Sequence, residues 1–248
     1  MPNSIEGKTA LVTGAAGVMG LAVVRALLAE GASVIMVDLN ESRLRALGRE
    51  LGPRAVPAAF DVTDPAAIQR ELSRLETAGS TVDILVNNAG ILSNNKSQAT
   101  TPEEWRRVVE INLGGMFYLS RAVIPGMKAK RWGRIVNVSS LAAQTGGLTA
   151  GTAYAASKGG VISLTRSLAA ETAAFGITAN AIAPAYVKTP MITEQLTEEQ
   201  RQGILNKIPV GRFCEPEEFA HVVLFLASPL AGFITGDLIN LNGGLYFN

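Results

Sequence analysis

Tyr154 and Lys158 stand four residues apart in a segment with helical periodicity, and this pair could transfer a proton. At that spacing a phenol and an ammonium share one helix face and lie close enough to interact. A nearby cation favours the phenolate, so the spacing predicts a Tyr154 pKa below the ordinary value of about 10. A shift of that kind suits general acid–base catalysis near neutral pH. On spacing alone, an exposed pair without catalytic function is the better interpretation.

Three further polar residues could serve the same chemistry. Ser139 and Ser140 follow a predicted strand just ahead of that helix, where a hydroxyl can bond to a substrate oxygen or merely cap a turn. Asn112 interrupts an otherwise apolar helix, and a buried asparagine needs partners. It is therefore either a structural hydrogen-bond bridge or the holder of a water molecule.

Other chemistries have few residues to work with. The chain has one histidine, His221, within the predicted amphipathic helix 216–227, and one cysteine, Cys214. A His/Cys zinc site is nearly excluded, and no metal site is expected. A hydrolase triad would have to use His221, and the chain lacks a Gly-x-Ser-x-Gly elbow.

Short β-branched runs alternate with helical patterns along the chain. The predicted strands are 9–13, 33–37, 56–60, 84–86, 134–138, 178–182 and 238–241, and the predicted helices include 21–30, 41–51, 66–75, 103–111 and 154–175. Near-continuous apolar strands separated by helices indicate a parallel sheet covered on both faces. We predict an α/β fold in which residues 1–248 form a single Rossmann-like domain, a doubly wound parallel sheet of about seven strands. Residues 187–210 are less regular and are predicted to form a mobile substrate loop with a short helix near 194–201.

The first strand leads into a glycine-rich turn and then a helix. Residues 13–20 read Thr-Gly-Ala-Ala-Gly-Val-Met-Gly, a context that either binds a pyrophosphate on the helix N-terminus or forms a tight turn without a ligand. Asp38 ends the second strand, 24 residues after Gly14, where a carboxylate can accept hydrogen bonds from a ribose 2′-hydroxyl and would repel a 2′-phosphate. No basic residue stands at 39 or 40, and Arg43 should lie on the next helix. The sequence therefore predicts NAD rather than NADP.

Composition fits a globular chain with a large core. Hydrophobic residues make up 48% and charged residues 17%, with a formal net charge of +1. No basic excess indicates nucleic acid, and no apolar run reaches the roughly 18 residues of a membrane span. Neither nucleic acid nor membrane is expected as a partner. The N-terminal residues lack an apolar signal core, and with a single cysteine a cytoplasmic location is expected.

Together these residues resemble the short-chain dehydrogenase/reductase family from residue 8 to residue 244. The family pattern has Thr-Gly-x3-Gly-x-Gly at 13–20, Asn-Asn-Ala-Gly at 87–90, a serine at Ser140 and Tyr-x-x-x-Lys at 154–158. The resemblance implies an NAD(H)-dependent oxidoreductase that interconverts a secondary alcohol and a ketone by hydride transfer. It also implies a homotetramer whose interface is built by the C-terminal segment.

The resemblance further implies a role for each matching residue. Tyr154 would be the catalytic acid/base, Lys158 would lower its pKa and bind the nicotinamide ribose, Ser140 would orient the reacting oxygen, and Asn112 would hold a proton-relaying water. The implied cofactor-binding residues are Gly14, Gly17, Val18, Met19, Gly20, Asp38, Leu39, Asp61, Val62, Asn88, Ala89, Gly90, Tyr154, Lys158, Pro184, Val187 and Thr189. The residues expected around a small alcohol or ketone substrate are Ser140, Leu141, Gln144, Leu148, Tyr154, Tyr186, Met191 and Ile192, together with the loop 92–97.

The chain departs from the family pattern at three places. Val18 replaces the usual second glycine and should crowd the pyrophosphate approach or shift the turn. Ala185 replaces the glycine usual after Pro184. The interval from Ser140 to Tyr154 is one residue longer than usual, so Ser139 is a possible substitute for Ser140.

Two alternative functions stay open. The first is a 3-oxoacyl-thioester reductase, which Lys130 and Arg131 favour as a basic surface for an acyl carrier. Asp38 opposes NADPH, the usual cofactor of such enzymes, and Phe175 stands where they often have a basic residue. The second is a non-catalytic NAD-binding sensor or scaffold, which has no need for all of Asn112, Ser140, Tyr154 and Lys158.

Overall fold

The computed structural model describes residues 4–147, 150–190, 194 and 197–247. Seven parallel strands form one sheet in the order β3-β2-β1-β4-β5-β6-β7. They are β1 (Thr9–Thr13), β2 (Ser33–Asp38), β3 (Ala55–Ala59), β4 (Ile84–Asn87), β5 (Gly133–Val138), β6 (Ile177–Pro184) and β7 (Leu238–Leu241). The predicted α/β class and doubly wound parallel sheet are confirmed.

Helices cover both faces of this sheet. They are α1 (Val18–Ala29), α2 (Glu41–Leu51), α3 (Pro65–Thr77), α4 (Pro102–Val109), α5 (Gly115–Lys130), α6 (Ala142–Thr145), α7 (Thr152–Thr172), α8 (Glu198–Leu205) and α9 (Pro216–Ala227). One buried cluster joins α1, α2 and α9 to one face, and a second joins α3, α5 and α7 to the other. Alternate strand residues enter the two clusters, as Val12 and Leu11 do on β1, which explains why the strands are apolar throughout.

The order of the strands reverses between β1 and β4. From β1 the chain winds outward to β3, then returns to place β4 on the other side of β1. In sheets of this kind a crevice opens at that switch, outside the carboxyl ends of the strands. The glycine-rich turn and the 87–90 segment both lie there.

One helical segment differs from the prediction of a helix over 103–111. α4 ends at Val109, a π-helical turn spans Glu110–Gly114, and α5 continues from Gly115. The π turn carries Asn112, whose side chain leaves the helix to bond with a neighbouring loop. Within the described ranges, none of the helices combines the length and apolar character that crossing a bilayer takes.

Candidate active site

Tyr154 and Lys158 lie in the first two turns of α7, one turn apart. The Lys158 Nζ lies 5.8 Å from the centroid of the Tyr154 ring and donates a 2.7 Å hydrogen bond to the carbonyl of Val138, at the end of β5. Lys158 is buried, whereas Tyr154 is only partly so. The helix therefore brings both side chains to the carboxyl end of the sheet.

Burial changes the pKa of both groups. It raises the pKa of Tyr154 above its ordinary value, and a hydrogen bond with the Ser140 hydroxyl acts in the opposite direction. It lowers the pKa of Lys158 to about 8. The pKa of Tyr154 thus shifts upward, opposite to the sequence prediction. The reason is that burial removes water from the phenolate, and the hydrogen bond from Ser140 offsets only part of that loss of solvation.

The two serines after β5 face different partners. Ser140 is hydrogen-bonded to Tyr154, and its Oγ also accepts from the Ala142 N–H at 3.1 Å. The buried Ser139 hydroxyl instead donates to the carbonyl of Lys158 at 2.8 Å. Ser140, not Ser139, is the serine beside the phenol despite the longer interval.

Asn112 is fully buried in the π turn and bonds to a neighbouring loop. Its Oδ1 accepts from the N–H of Ile91 at 2.8 Å, and its Nδ2 donates to the Ile91 carbonyl at 3.0 Å and to Ser157 Oγ at 3.1 Å. A Cβ at Gly90 would lie 3.0 Å from Asn112 Oδ1 and 3.4 Å from Lys158 Nζ. The side chain is thus a hydrogen-bond bridge, and the water-holding function stays a prediction. Ser157 was not singled out from the sequence, since an isolated serine inside a helix carries no signal.

The glycine-rich turn folds tightly against the end of β4. Gly14 has a φ of +65°, and a Cβ there would lie 2.9 Å from Asn88 Nδ2. A Cβ at Gly20 would overlap the carbonyl oxygen of Gly14, so both glycines are sterically required. Gly17 is the N-cap of α1, with room for a Cβ at 3.4 Å from the nearest atom. Val18 is the first residue of α1, and 38% of its surface is exposed.

Asp38 lies at the end of β2 beside this turn. Its Oδ2 accepts from the N–H of Ala16 at 3.1 Å, and its Oδ1 accepts from the N–H of Asn40 at 3.1 Å. Leu39 is exposed, and Arg43 lies on α2, as predicted from the sequence. Each carboxylate oxygen keeps acceptor capacity at the mouth of the crevice.

Asn88 and Thr13 tie the carboxyl ends of β4 and β1 together. Asn88 Nδ2 donates to the carbonyl of Thr13 at 2.9 Å, while Thr13 Oγ1 accepts from the N–H groups of Asn88 and Ala89, both at 2.9 Å. Thr13 was treated only as part of the motif, yet these bonds hold the walls of the crevice at a fixed separation.

Asp61 and Val62 follow β3 on the far side of β2. Asp61 is exposed and accepts from the N–H and hydroxyl of Thr63, both at 2.8 Å. Val62 packs against α5, where a Cβ at Gly115 would lie 2.8 Å from its Cγ2. Val62 therefore has a packing function as well as a position near the crevice.

The segment after β6 is held from three sides. Leu141 N–H donates to the Pro184 carbonyl at 3.0 Å, and Ala185 N–H donates to the Leu241 carbonyl at 3.0 Å. Among the described residues that are not glycine, only Arg131 has a positive φ, so the backbone of Ala185 does not require glycine. Val187 forms a bridge with Cys214, and Thr189 follows two residues later.

Ser140, Leu141 and Tyr154 meet at the end of β5, with Gln144 on α6 just beyond. Tyr186 lies on the segment after β6, its ring 6.5 Å from that of Phe213. Three more predicted substrate residues, Leu148, Met191 and Ile192, lie outside the described residues. Among those described, no group of three or more His, Cys, Asp or Glu side chains could hold a metal ion.

The basic pair Lys130 and Arg131 lies between the end of α5 and the start of β5, at the amino ends of the strands. Lys130 Nζ pairs with Asp83 Oδ1 at 2.7 Å, and Arg131 donates to the carbonyl of Ala174 at 3.0 Å. Within one chain this pair therefore does not border the carboxyl ends of the strands, where Tyr154 lies.

Comparison with known proteins agrees with this geometry. The family described as Enoyl-(Acyl carrier protein) reductase matches residues 14–246. The chain is 44% identical to 3-oxoacyl-[acyl-carrier-protein] reductase FabG of Vibrio cholerae, over 98% of this chain and 99% of that protein. It resembles the structure of a 3-oxoacyl-[acyl-carrier protein] reductase with bound NAD from Brucella melitensis, with a TM-score of 0.90, 37% identity, and coverage of 99% of this chain and 93% of that one. It also resembles a putative gluconate dehydrogenase from Agrobacterium tumefaciens, with a TM-score of 0.92, 33% identity, and coverage of 98% and 97%.

The chain belongs to the short-chain dehydrogenase/reductase family and is an oxidoreductase of that family. The resemblance stated from the sequence motifs is thereby confirmed. Members of this family use a nicotinamide cofactor.

Proposed function

We propose that this protein reduces the 3-oxo group of an acyl thioester to a secondary alcohol, with NADH as the hydride donor. This is one case of the ketone–alcohol interconversion predicted from the motifs, narrowed to the substrate class named in the 41–44% identical relatives. The observation that carries it is the Ser140–Tyr154 hydroxyl pair beside the buried Lys158.

The residues at the carboxyl ends of β1 and β2 fit a dinucleotide. The first turn of α1 has no acidic side chain and no side-chain cap, so its N–H groups can receive a pyrophosphate. Gly14 and Gly20 keep the backbone at that turn free of side chains. Asp38 supports the preference for NADH, since its free lone pairs can accept from ribose hydroxyls and its charge repels a 2′-phosphate.

The remaining cofactor residues would line the two sides of the crevice. On the adenosine side these are Leu39, Asp61 and Val62, with Gly17, Val18 and Met19 at the pyrophosphate. On the nicotinamide side these are Asn88, Ala89, Gly90, Lys158, Pro184, Val187 and Thr189. When bound, the nicotinamide supplies a hydride from its C4.

The protein's own residues handle the proton and the geometry. Tyr154, kept protonated by its raised pKa, donates its hydroxyl proton to the carbonyl oxygen as that oxygen gains charge. Ser140 donates a hydrogen bond to the same oxygen and holds it near the phenol. Lys158 presents its ammonium one helical turn away, where it favours the phenolate that proton donation leaves behind.

A second substrate class is a polyhydroxy acid, which the structural similarity to a putative gluconate dehydrogenase favours. Its hydroxyl groups would need more polar partners than an acyl chain. Ser140 and Gln144 are the polar residues in the predicted substrate set, beside Leu141, Tyr154 and Tyr186.

The first experiment measures oxidation of NADH at 340 nm with a short 3-oxoacyl thioester, a simple ketone and a keto sugar acid. We expect the thioester to give the highest kcat/KM, and Tyr154→Phe to lower kcat by about a thousandfold or more while NADH binding is retained. Turnover retained in Tyr154→Phe would refute the mechanism. Tight NADH binding with no turnover on any substrate would favour the sensor or scaffold function instead.

The second experiment tests the cofactor. We expect wild-type protein to prefer NADH, and Asp38→Asn to reduce that preference by about tenfold because it removes the charge that repels a 2′-phosphate. Equal use of NADPH by the wild type would contradict the proposal. Comparing KM for the thioester on a carrier protein and on a small thiol tests whether the carrier increases substrate affinity.

The homotetramer and the cytoplasmic location expected from the sequence stay predictions.

A further inference from the structure

We propose that Lys96 and Glu104 are positioning residues that fix the start of α7, and with it Tyr154, by tying the loop after β4 to the segment before α7. Together with Ser93 and Asn95 they form what we term the α7 bracket. The inference rests on the proposed function, since it assigns the bracket to the reaction of Tyr154.

Lys96 joins two chain segments that are distant in sequence. Its Nζ donates to the carbonyl of Gly147 and to the carbonyl of Ala150, each at 2.6 Å. Gly147 in turn packs on α7, where a Cβ added to it would lie 2.9 Å from the Cβ of Ala155, the residue after Tyr154. Lys96 therefore holds both ends of the stretch that leads into the catalytic helix.

Backbone hydrogen bonds continue the same contact to the helix N-terminus. Gly151 N–H donates to the carbonyl of Ser93 at 2.7 Å, and Thr152 N–H donates to the carbonyl of Asn95 at 3.0 Å. A Cβ at Gly151 would lie 2.6 Å from the Asn95 carbonyl oxygen, so the two backbones are in direct contact. These N–H groups begin α7 and have no intrahelical acceptor, so the loop carbonyls serve as their cap.

Glu104 on α4 fixes the side chains of the residues that supply those carbonyls. Its Oε1 accepts from Ser93 Oγ at 2.5 Å, and its Oε2 accepts from Asn95 Nδ2 at 2.7 Å. Both bonds hold the pKa of Glu104 below its usual range, so the carboxylate stays charged at neutral pH. The Glu104 carboxylate thereby sets the position of the Ser93 and Asn95 carbonyls. These carbonyls accept from the N–H groups of Gly151 and Thr152, which precede Tyr154 by three and two residues.

Position matters more than stability for this bracket. Displacing a catalytic group by about 1 Å can cost roughly 100-fold in rate even when the fold is intact. The residues assigned to the adenosine and the pyrophosphate lie away from the bracket, on β1, β2, α1 and the segment after β3. Lys158 and the segment 88–90, assigned to the nicotinamide side, lie on the elements that the bracket joins. Loosening the bracket should therefore slow the chemical step much more than it weakens cofactor binding.

The test compares Lys96→Met, Lys96→Arg and Glu104→Gln in the full-length protein. Methionine matches the length of lysine without its donors, arginine keeps donors, and glutamine replaces one acceptor of Glu104 by a donor. Glu103→Gln is the matched control, because this neighbouring glutamate is exposed and its ion pair among the described residues is with Arg106 on its own helix, at 3.4 Å.

We expect Lys96→Met and Glu104→Gln each to lower kcat by about tenfold, with Kd for NADH changed by less than about twofold. The deuterium isotope effect on kcat, measured with 4-deuterated NADH, should rise because hydride transfer becomes slower relative to product release. Lys96→Arg should recover most of the rate, and Glu103→Gln should match the wild type. Unchanged kcat and isotope effect in both Lys96→Met and Glu104→Gln would overturn the inference.

Hydrogen exchange of the peptide covering residues 147–155 gives a readout that needs no substrate. We expect faster exchange at Gly151 and Thr152 in Lys96→Met and Glu104→Gln than in Glu103→Gln. If the wild type turns over no thioester, the proposed function fails, and this exchange still decides whether the bracket holds α7. Equal exchange in all variants would refute the bracket whatever the activity.

Discussion

The side chain of Asn112 binds the backbone of Ile91 in both directions, accepting from its N–H at 2.8 Å and donating to its carbonyl at 3.0 Å. A single side-chain amide thus satisfies both backbone groups of one residue in the loop that follows β4, as a neighbouring strand would do in a sheet. Asn112 lies in the π turn between α4 and α5, a kind of helix interruption that is frequent at functional sites.

The first prediction follows from that bond pair. Asn112→Ala removes both side-chain bonds to the half-buried Ile91 backbone and one bond to Ser157, whose hydroxyl still donates to the Tyr154 carbonyl. The free energy of unfolding should therefore fall by about 2 kcal/mol. Urea denaturation at a fixed protein concentration measures it. The exposed Asn206→Ala should change it by less than about 0.5 kcal/mol. Equal effects of the two changes would show that the bridge contributes nothing.

The second prediction separates the two adjacent serines. Ser140→Ala removes the hydroxyl bonded to Tyr154 and should lower kcat by about 100-fold, the lower end of the range for one lost transition-state hydrogen bond. Ser139→Ala removes a bond to the Lys158 carbonyl, so we expect a loss of stability and a smaller change in kcat. Steady-state kinetics on both variants checks this, and a larger kcat loss in Ser139→Ala would reverse the assignment.

The third prediction concerns pH. The ammonium of Lys158 has a pKa lowered to about 8 by burial, so in the free protein it is present below that pH and lost as the pH rises through it. If the ammonium binds the cofactor, kcat/KM for NADH should be flat below pH 8 and fall about tenfold per unit above it. Tyr154, with its raised pKa, stays protonated over the same range.

Lys158→Arg is the control for this profile. The guanidinium of an arginine stays protonated throughout the pH range of the assay. The fall in kcat/KM at high pH should therefore disappear, even if kcat/KM itself is lower. A fall near pH 8 that persists in Lys158→Arg would belong to another group.

The fourth prediction concerns Val18 at the start of α1. Its exposed, β-branched side chain stands where the pyrophosphate is expected, so Val18→Gly should tighten NADH binding by about threefold or more. Fluorescence titration with NADH measures the Kd. Val18→Ala, which keeps a Cβ, should have a Kd between those of the wild type and Val18→Gly. Weaker NADH binding in Val18→Gly than in the wild type would mean that the valine packs against the cofactor.

Much of this molecule was determined by local sequence. The strand runs and helix periods predicted the seven strands to within one or two residues at most ends, because burial on both faces leaves a continuous apolar pattern. The turn around Gly14 and Gly20 was equally readable, since only glycine fits those close contacts. The four-residue spacing of Tyr154 and Lys158 fixed their common helix face.

Contacts between distant segments were decided only by the tertiary structure. Sequence spacing left both Ser139 and Ser140 open, and the path of the chain after β5 turned Ser140 toward Tyr154. The direction of the Tyr154 pKa shift depended on burial, which spacing does not reveal. The sequence favoured Lys130 and Arg131 as a surface for a carrier, but the direction of the strands places them at the amino end of β5, away from Tyr154. In each case the physical reason is the same: local periodicity specifies which face a residue occupies, whereas desolvation and hydrogen-bond partners depend on which other segments the sheet order brings beside it.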